Sequence, residues 1–153
     1  MEVFEEIRKR LASKGIPFKT MTHEPVFTSE EAARVRGTTL ESGAKAMVLR
    51  SGGKFYMFVI SAAKKIDMRK AKKILGTKSL SFATPEEVFQ NCHCEIGAVP
   101  PFGDLFGLEV FVDESVAGQE TMNFNAGRHD TSMQMESKDY LKVVKHRLSS
   151  FSE

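Results

Sequence analysis

Residues 44–61 read AKAMVLRSGGKFYMFVIS. Ala44–Ser51 and Lys54–Ser61 are two runs rich in strand formers, joined by Gly52-Gly53. A two-glycine link accepts the positive φ angles of a tight turn, so the stretch predicts an antiparallel hairpin. Upstream of it, Phe4, Ile7 and Leu11 recur at helical spacing over residues 2–14, and Gly15 ends that helix. A strand over 17–21 and a turn at His23-Glu24-Pro25 follow. Thr28 and Glu31 stand in the capping-box relation, in which the hydroxyl accepts an early helix amide and the carboxylate reaches back. The helix they start is expected to reach Arg36 and stop at Gly37. Downstream, Asp67 is expected to cap a basic helix ending at Leu75 before Gly76. Thr84-Pro85-Glu86-Glu87 marks another helix start. Short strands are expected over 94–96 and 108–112, flanking the loop Gly97–Gly103, and over 121–124 and 131–135. Ser137 is expected to cap a terminal helix running to about Leu148. Hairpins interspersed with helices indicate one α/β domain spanning 1–153, around a mixed, partly antiparallel sheet.

The chain has 153 residues and 17.1 kDa, with 41% apolar and 27% charged types. That balance excludes a disordered chain. A chain of this size buries roughly 70% of its unfolded surface without a metal or disulfide staple. Its longest uncharged apolar stretch, Phe55–Ala63, is too short to span a bilayer. Glu2, Glu5 and Glu6 stand where a secretory leader would carry base. Cys92 and Cys94 are too close in sequence to pair without strain, and no other cysteine exists. The expectation is a soluble, cytoplasmic protein with no membrane partner.

The net charge of +2 hides an uneven distribution. Residues 1–78 hold 17 Lys/Arg against 8 Asp/Glu, a surplus of +9, whereas residues 79–127 hold 8 acids and no base. Lys64, Lys65, Arg69, Lys70, Lys72 and Lys73 form the densest basic segment. Such a segment is either a solvated helix face or a footprint for a phosphate backbone. No helix-turn-helix or basic zipper accompanies it, so sequence-specific DNA binding is not expected.

Several residue groups carry potential chemistry. Lys45 opens an apolar strand, where it either points to solvent or supplies a point charge and three donors to a cleft. The loop Gly97–Gly103 packs two glycines and two prolines into seven residues. Proline stiffens the backbone and glycine admits close approach to its amides, which suits oxyanion stabilisation as well as a plain tight turn. Residues 127–132 gather His129, Asp130, Thr131 and Ser132. Imidazole titrates near neutrality, so His129 is a candidate base, but neighbours on a strand face opposite ways and need not form a dyad. Cys92-His93-Cys94 lacks a second cluster at metal-binding spacing, and no metal or other cofactor is expected. Signatures of phosphate-binding loops, nucleophile elbows and zinc proteases are absent.

Three segments in order resemble the YbaK-type aminoacyl-tRNA editing domains, free-standing relatives of the insertion domain of bacterial prolyl-tRNA synthetases. They are His23–Ala33 leading into Gly43–Leu49, the Gly97–Pro101 loop of Gly-x-x-x-Pro form, and Phe124–Ser132. The resemblance implies a mixed, largely antiparallel, barrel-like sheet with surrounding helices. It also implies hydrolysis, in trans, of the ester joining a wrong small amino acid (Ala, Ser, Thr or similar) to the 3′ end of tRNA. Lys45 would then hold the terminal phosphate or the aminoacyl group. Gly97, Ala98, Val99, Pro100 and Pro101 would grip the ester and terminal ribose. His23, Phe27, Thr28 and Ala46 would contact the substrate, and the turn with Gly127, His129, Thr131 and Ser132 would shape the amino-acid pocket. The basic segment at 64–73 would meet the acceptor stem, with a synthetase as a further partner. The family is thought to use neither metal nor protein nucleophile, and water is oriented by backbone and substrate hydroxyls. Two alternatives remain at this point: a non-catalytic tRNA-binding module on the same scaffold, and a small-molecule esterase using His129 with Asp130.

Overall fold

Two sheets meet at a seam, and the hairpin of residues 44–61 forms the middle of the larger one. The structure, a computed structural model, describes residues 1–153. Its elements are α1 (Val3–Ser13), β1 (Lys19–Thr22), α2 (Ser29–Arg36), β2 (Ala44–Ser51), β3 (Lys54–Ser61), α3 (Met68–Leu75) and β4 (Ser81–Phe82). After these come α4 (Pro85–Cys92), a 3₁₀ turn (Gly103–Phe106), β5 (Glu109–Asp113) and α5 (Glu114–Ala117). β6 (Thr121–Arg128), β7 (Thr131–Glu136), α6 (Ser137–Val143) and β8 (Arg147–Ser149) complete the chain.

The larger sheet has the order β4-β2-β3-β5-β8. β2 pairs antiparallel with β3 from Ala44 opposite Ser61 to Ser51 opposite Lys54, while β3–β5 and β5–β8 are parallel. β3 is buried on both faces, which explains its unbroken apolar run. Met57 and Val59 face the main core with α1, β6 and β7, while Phe58 and Ile60 pack with Ala71, Phe111 and Phe151. The smaller sheet, β1-β7-β6, is antiparallel. The sheets do not close into a barrel. They touch where Gly43 bridges Asn123, whose amide donates to the Ser42 carbonyl at 2.9 Å. The buried Asn123 side chain donates to Ser42 Oγ at 3.0 Å and accepts from Gln134 at 2.9 Å. No helix is long and apolar enough to cross a membrane.

Helix starts follow their local chemistry. Thr28, Asp67 and Thr84 each accept early helix amides, and Thr84 with Glu87 completes the reciprocal box. Glu31 differs from expectation, because its carboxylate accepts from the Thr28 hydroxyl instead of reaching back to the backbone. Two other expectations fail. Residues 94–96 form no strand, since His93 ends α4 in the left-handed region and Gly97 turns again at φ 87°, leaving too short a span for a ladder. The terminal helix stops at Val143 because Val144 is extended, and Leu148 instead joins β8 beside β5. Ser137 is the first helical residue, not the cap, and its buried hydroxyl has no partner.

Candidate active site

β4 pairs with β2 only at Leu49 and Arg50, so the β2 edge from Ala44 to Met47 lies open beside the seam. A cleft of about 380 Å³ occupies that gap. Its walls come from α2 and the residues before it (Phe27, Thr28, Ser29, Ala32, Arg36), from residues 43–48, and from Ile96, Gly97, Val99 and Asn125. Most of the lining is apolar, two cations face it (Lys45 and Arg36), and no Asp or Glu lines it. Phe27, Phe82 and Ile96 stand at the lining although they are 71%, 51% and 51% exposed. An apolar rim of this kind suits a stacked base or a partner surface.

Lys45 is half-buried and has no hydrogen-bond partner; burial pulls its pKa down, Glu30 opposes that and Lys65 adds to it. The Arg36 guanidinium is also drawn out of water, which lowers it to about 10, so it remains a cation at neutral pH. Its Nε donates to Ser132 Oγ at 2.8 Å and its Nη2 to Asn125 Oδ1 at 2.9 Å. Asn125 Nδ2 in turn donates to the Gly97 carbonyl at 2.9 Å. The Gly97–Pro101 loop is tied twice more. The Gly127 amide donates to Ala98 O at 2.9 Å, and the buried Tyr140 hydroxyl donates to Pro101 O. Ala98 N–H bonds Glu95 O, whereas the Gly97 and Val99 amides have no partner in the chain. Rigid backbone with two unengaged donors beside two cations is an arrangement that stabilises a developing oxyanion.

Of the sequence-predicted residues, Lys45, Ala46, Phe27, Thr28, Gly97 and Val99 line the cleft. Ala98, Pro100 and Pro101 are buried behind it as the loop's inner face. Ser132 and His23 stand behind the wall: His23 Nε2 meets Ser132 Oγ at 2.8 Å and Nδ1 meets Glu24 O at 2.7 Å. Thr131 is buried and donates to Asp130 at 3.0 Å. Gly127 packs on Val3 of α1. His129 packs against Phe27 with centroids 4.6 Å apart and the rings tilted by 37°, and its buried Nδ1 has no partner. There is no His129–Asp130 dyad, which removes the basis of the esterase reading. Cys92 and Cys94 are buried thiols pushed up by burial to about 12 and about 11, so they are neutral packing groups. Lys64, Lys65, Arg69, Lys70 and Lys73 are exposed and Lys72 half-buried on and before α3. None of the six forms an ion pair. Arg36, Asn125 and Ser29 were not singled out by sequence reading; Ser29 hid beside the cap Thr28, and nothing local marks the other two.

A family model described as the aminoacyl-tRNA editing domain matches residues 23–143, from the turn at His23 to the end of α6. The chain belongs to that family. Residues 23–143 of this editing domain contain every wall of the cleft and all three ties on the Gly97–Pro101 loop. The multifunctional Ser/Thr-tRNA deacylase ProXp-y of Escherichia coli strain K12 is 31% identical over 146 residues, covering 92% of this chain and 87% of that protein. The prolyl-tRNA editing protein ProX of Acetoanaerobium sticklandii is 25% identical over 157 residues, covering 99% and 96%. A crystal structure described as a proposed trans-editing enzyme for prolyl tRNA synthetase aligns at a TM-score of 0.85 and 24% identity, covering 100% of this chain and 98% of that one. At that identity the likeness bears on the fold of the editing domain alone.

Proposed function

We propose that residues 1–153 act as one editing domain, a trans-acting aminoacyl-tRNA deacylase that removes small, mainly hydroxyl-bearing amino acids from the 3′ end of tRNA. The observation that carries this reading is the acid-free cleft, with two cations beside the unengaged Gly97 and Val99 amides. Water attacks the ester carbonyl carbon, and the carbonyl oxygen takes negative charge that the Gly97 and Val99 amides meet. The tetrahedral intermediate expels the ribose oxygen, which takes a proton, giving free amino acid and a tRNA hydroxyl. An activated ester needs mainly positioning and charge stabilisation, so no protein nucleophile is required. Lys45 holds the terminal phosphate or the aminoacyl group as a point charge. Phe27 and Phe82 offer exposed rings for the terminal base. Ala32, Ala46 and Val88 keep the pocket small and apolar, so it rejects large side chains by size. The Thr28 hydroxyl is engaged by Glu31, whereas the Ser29 hydroxyl has no partner in the chain and is the group we assign to a substrate hydroxyl.

The direct test is release of amino acid from tRNAs charged with Ala, Ser, Thr, Cys and Pro, with and without a chelator. Fast turnover of the Ser and Thr esters that survives chelation and is lost in Lys45→Ala supports the reading. Tight tRNA binding with no turnover of any ester would replace it by a non-catalytic binding module.

A further inference from the structure

Arg36 is half-buried at the end of α2 with no carboxylate partner, an arrangement that desolvation makes unfavourable unless neutral hydrogen bonds or function compensate. Its hydrogen bonds have a fixed direction. Arg36 has donors only, so Asn125 must turn its Oδ1 toward it, at 2.9 Å. The Gly97 carbonyl is an acceptor only, so Asn125 must turn its NH₂ the other way, also at 2.9 Å. Both ends therefore demand the same rotamer of one amide. On the other flank, Glu24 O accepts only, so His23 carries its proton on Nδ1 and its Nε2 accepts from the Ser132 hydroxyl. Ser132 Oγ can then accept from Arg36 Nε, at 2.8 Å. The result is a one-way relay across three chain segments, with Arg36 as its only charged member and Gly97 as its end.

We propose that Arg36 is a positioning residue for the deacylation: acting through Asn125, it fixes the Gly97 carbonyl and with it the loop that carries the Gly97 and Val99 amides at the cleft wall. This rests on the deacylase reading for its role in turnover, while the relay itself is a property of the folded chain. An acidic partner would hold Arg36 as firmly, but it would place a negative charge beside the site where the ester oxygen becomes negative. Neutral partners hold the guanidinium without cancelling it, and its charge strengthens both bonds it donates. Lysine in its place keeps the charge and loses the two-pronged geometry.

The test compares Arg36→Lys, Arg36→Gln, Asn125→Ala and the Arg36→Gln/Asn125→Ala pair, with Arg34→Lys, an exposed arginine on the same helix, as control. Rates are corrected for folded fraction. Misplacing one donor of an oxyanion site lowers turnover by about 10- to 100-fold, so kcat is expected to fall by that factor in each relay variant, lysine included, with KM within about threefold. The pair should be no worse than its poorer single member. Losses that multiply in the pair, or a rise in KM at constant kcat, overturn the proposal. A second readout needs no substrate: the ¹⁵N spectrum of Arg36→Lys, in which the Ala98 backbone amide, in the same peptide plane as the Gly97 carbonyl, and the Asn125 side-chain amide should move and should stay unmoved in Arg34→Lys. Unmoved resonances in Arg36→Lys also overturn it. A wild-type protein that hydrolyses none of the esters fails the deacylase reading and with it the catalytic role, whereas the spectrum still reports whether Arg36 holds Gly97.

Discussion

Lys45 shows how one residue ties stability to chemistry. Its ammonium is half-buried on the open edge of β2, and burial together with Lys65 holds its pKa below the ordinary lysine value. The charged form is therefore less favourable in the folded chain than in the unfolded one. The unfolded chain binds more protons between the lowered folded pKa and the ordinary value, so stability rises with pH through that alkaline window. Below it, the unfavourable charge is fully present. Lys45→Met removes that charge and keeps the stem, so the variant should melt at the wild-type Tm or above while losing deacylation. A drop of several degrees would show Lys45 to be a structural residue. Ser29 tests the pocket in the same single-residue manner. If its hydroxyl meets the substrate hydroxyl, Ser29→Ala should lower kcat/KM for Ser and Thr esters by about 5- to 30-fold, the worth of one hydrogen bond of roughly 1–2 kcal/mol, and leave the Ala ester unchanged. Equal loss on all three esters would remove Ser29 from side-chain recognition.

The Gly97–Pro101 loop is an element whose shape is imposed from outside. Its carbonyls at Gly97, Ala98 and Pro101 are held by two other elements: Asn125 and Gly127 of β6, and Tyr140 of α6. Tyr140 is fully buried, and burial followed by the nearby Asp104 raises its pKa well above the usual tyrosine range, so it remains a donor at every working pH. Tyr140→Phe leaves the Pro101 carbonyl buried and unpaired, a loss of about 1–3 kcal/mol, readable as a lower urea midpoint at unchanged slope. An unchanged midpoint would mean that the loop holds its shape through its prolines alone. The rigidity of this loop was legible in its composition, and its ties were not. The same contrast holds throughout the chain. The β2–β3 hairpin, the caps Thr28, Asp67 and Thr84, and the stops at Gly37 and Gly76 depend on chemistry within a few residues, and they form as expected. β4 is two residues long and β8 three, too short to give an alternation signal, and both exist only because β2 and β5 offer edges. Arg36 and Asn125 are 89 residues apart and meet only because the seam at Gly43 and Asn123 joins the sheets. Lys45 and Gly97 were legible through the family resemblance, which carries such long-range information where periodicity cannot.

On the scale of the whole molecule, the small net charge conceals how the two signs are used. Of the acids in 79–127, Glu87, Asp104 and Glu109 pair with Arg50, Arg10 and Arg147, while Asp113 accepts from the Ser115 and Phe151 amides. The cations at 64–73 pair with no acid, and Lys65 is near enough to Lys45 to lower it. Unpaired positive charge at Lys65 thus adjoins the cleft, which suits a polyanion whose reactive end enters it. Counterion release makes such binding steeply salt-dependent, with a slope of about 0.7–0.9 per phosphate met. Replacing Arg69, Lys70 and Lys73 by Ala should flatten the plot of log KM for tRNA against log salt by about two to three units if each meets one phosphate. The fold should hold, since all three side chains are exposed. Turnover of the aminoacyl ester of the terminal adenosine alone should be equal in wild type and triple variant, because that substrate is too short to reach α3. A parallel loss on the short ester would place these lysines and Arg69 in the chemistry of the cleft. An unaltered salt slope would leave the stem of the tRNA bound elsewhere on the molecule.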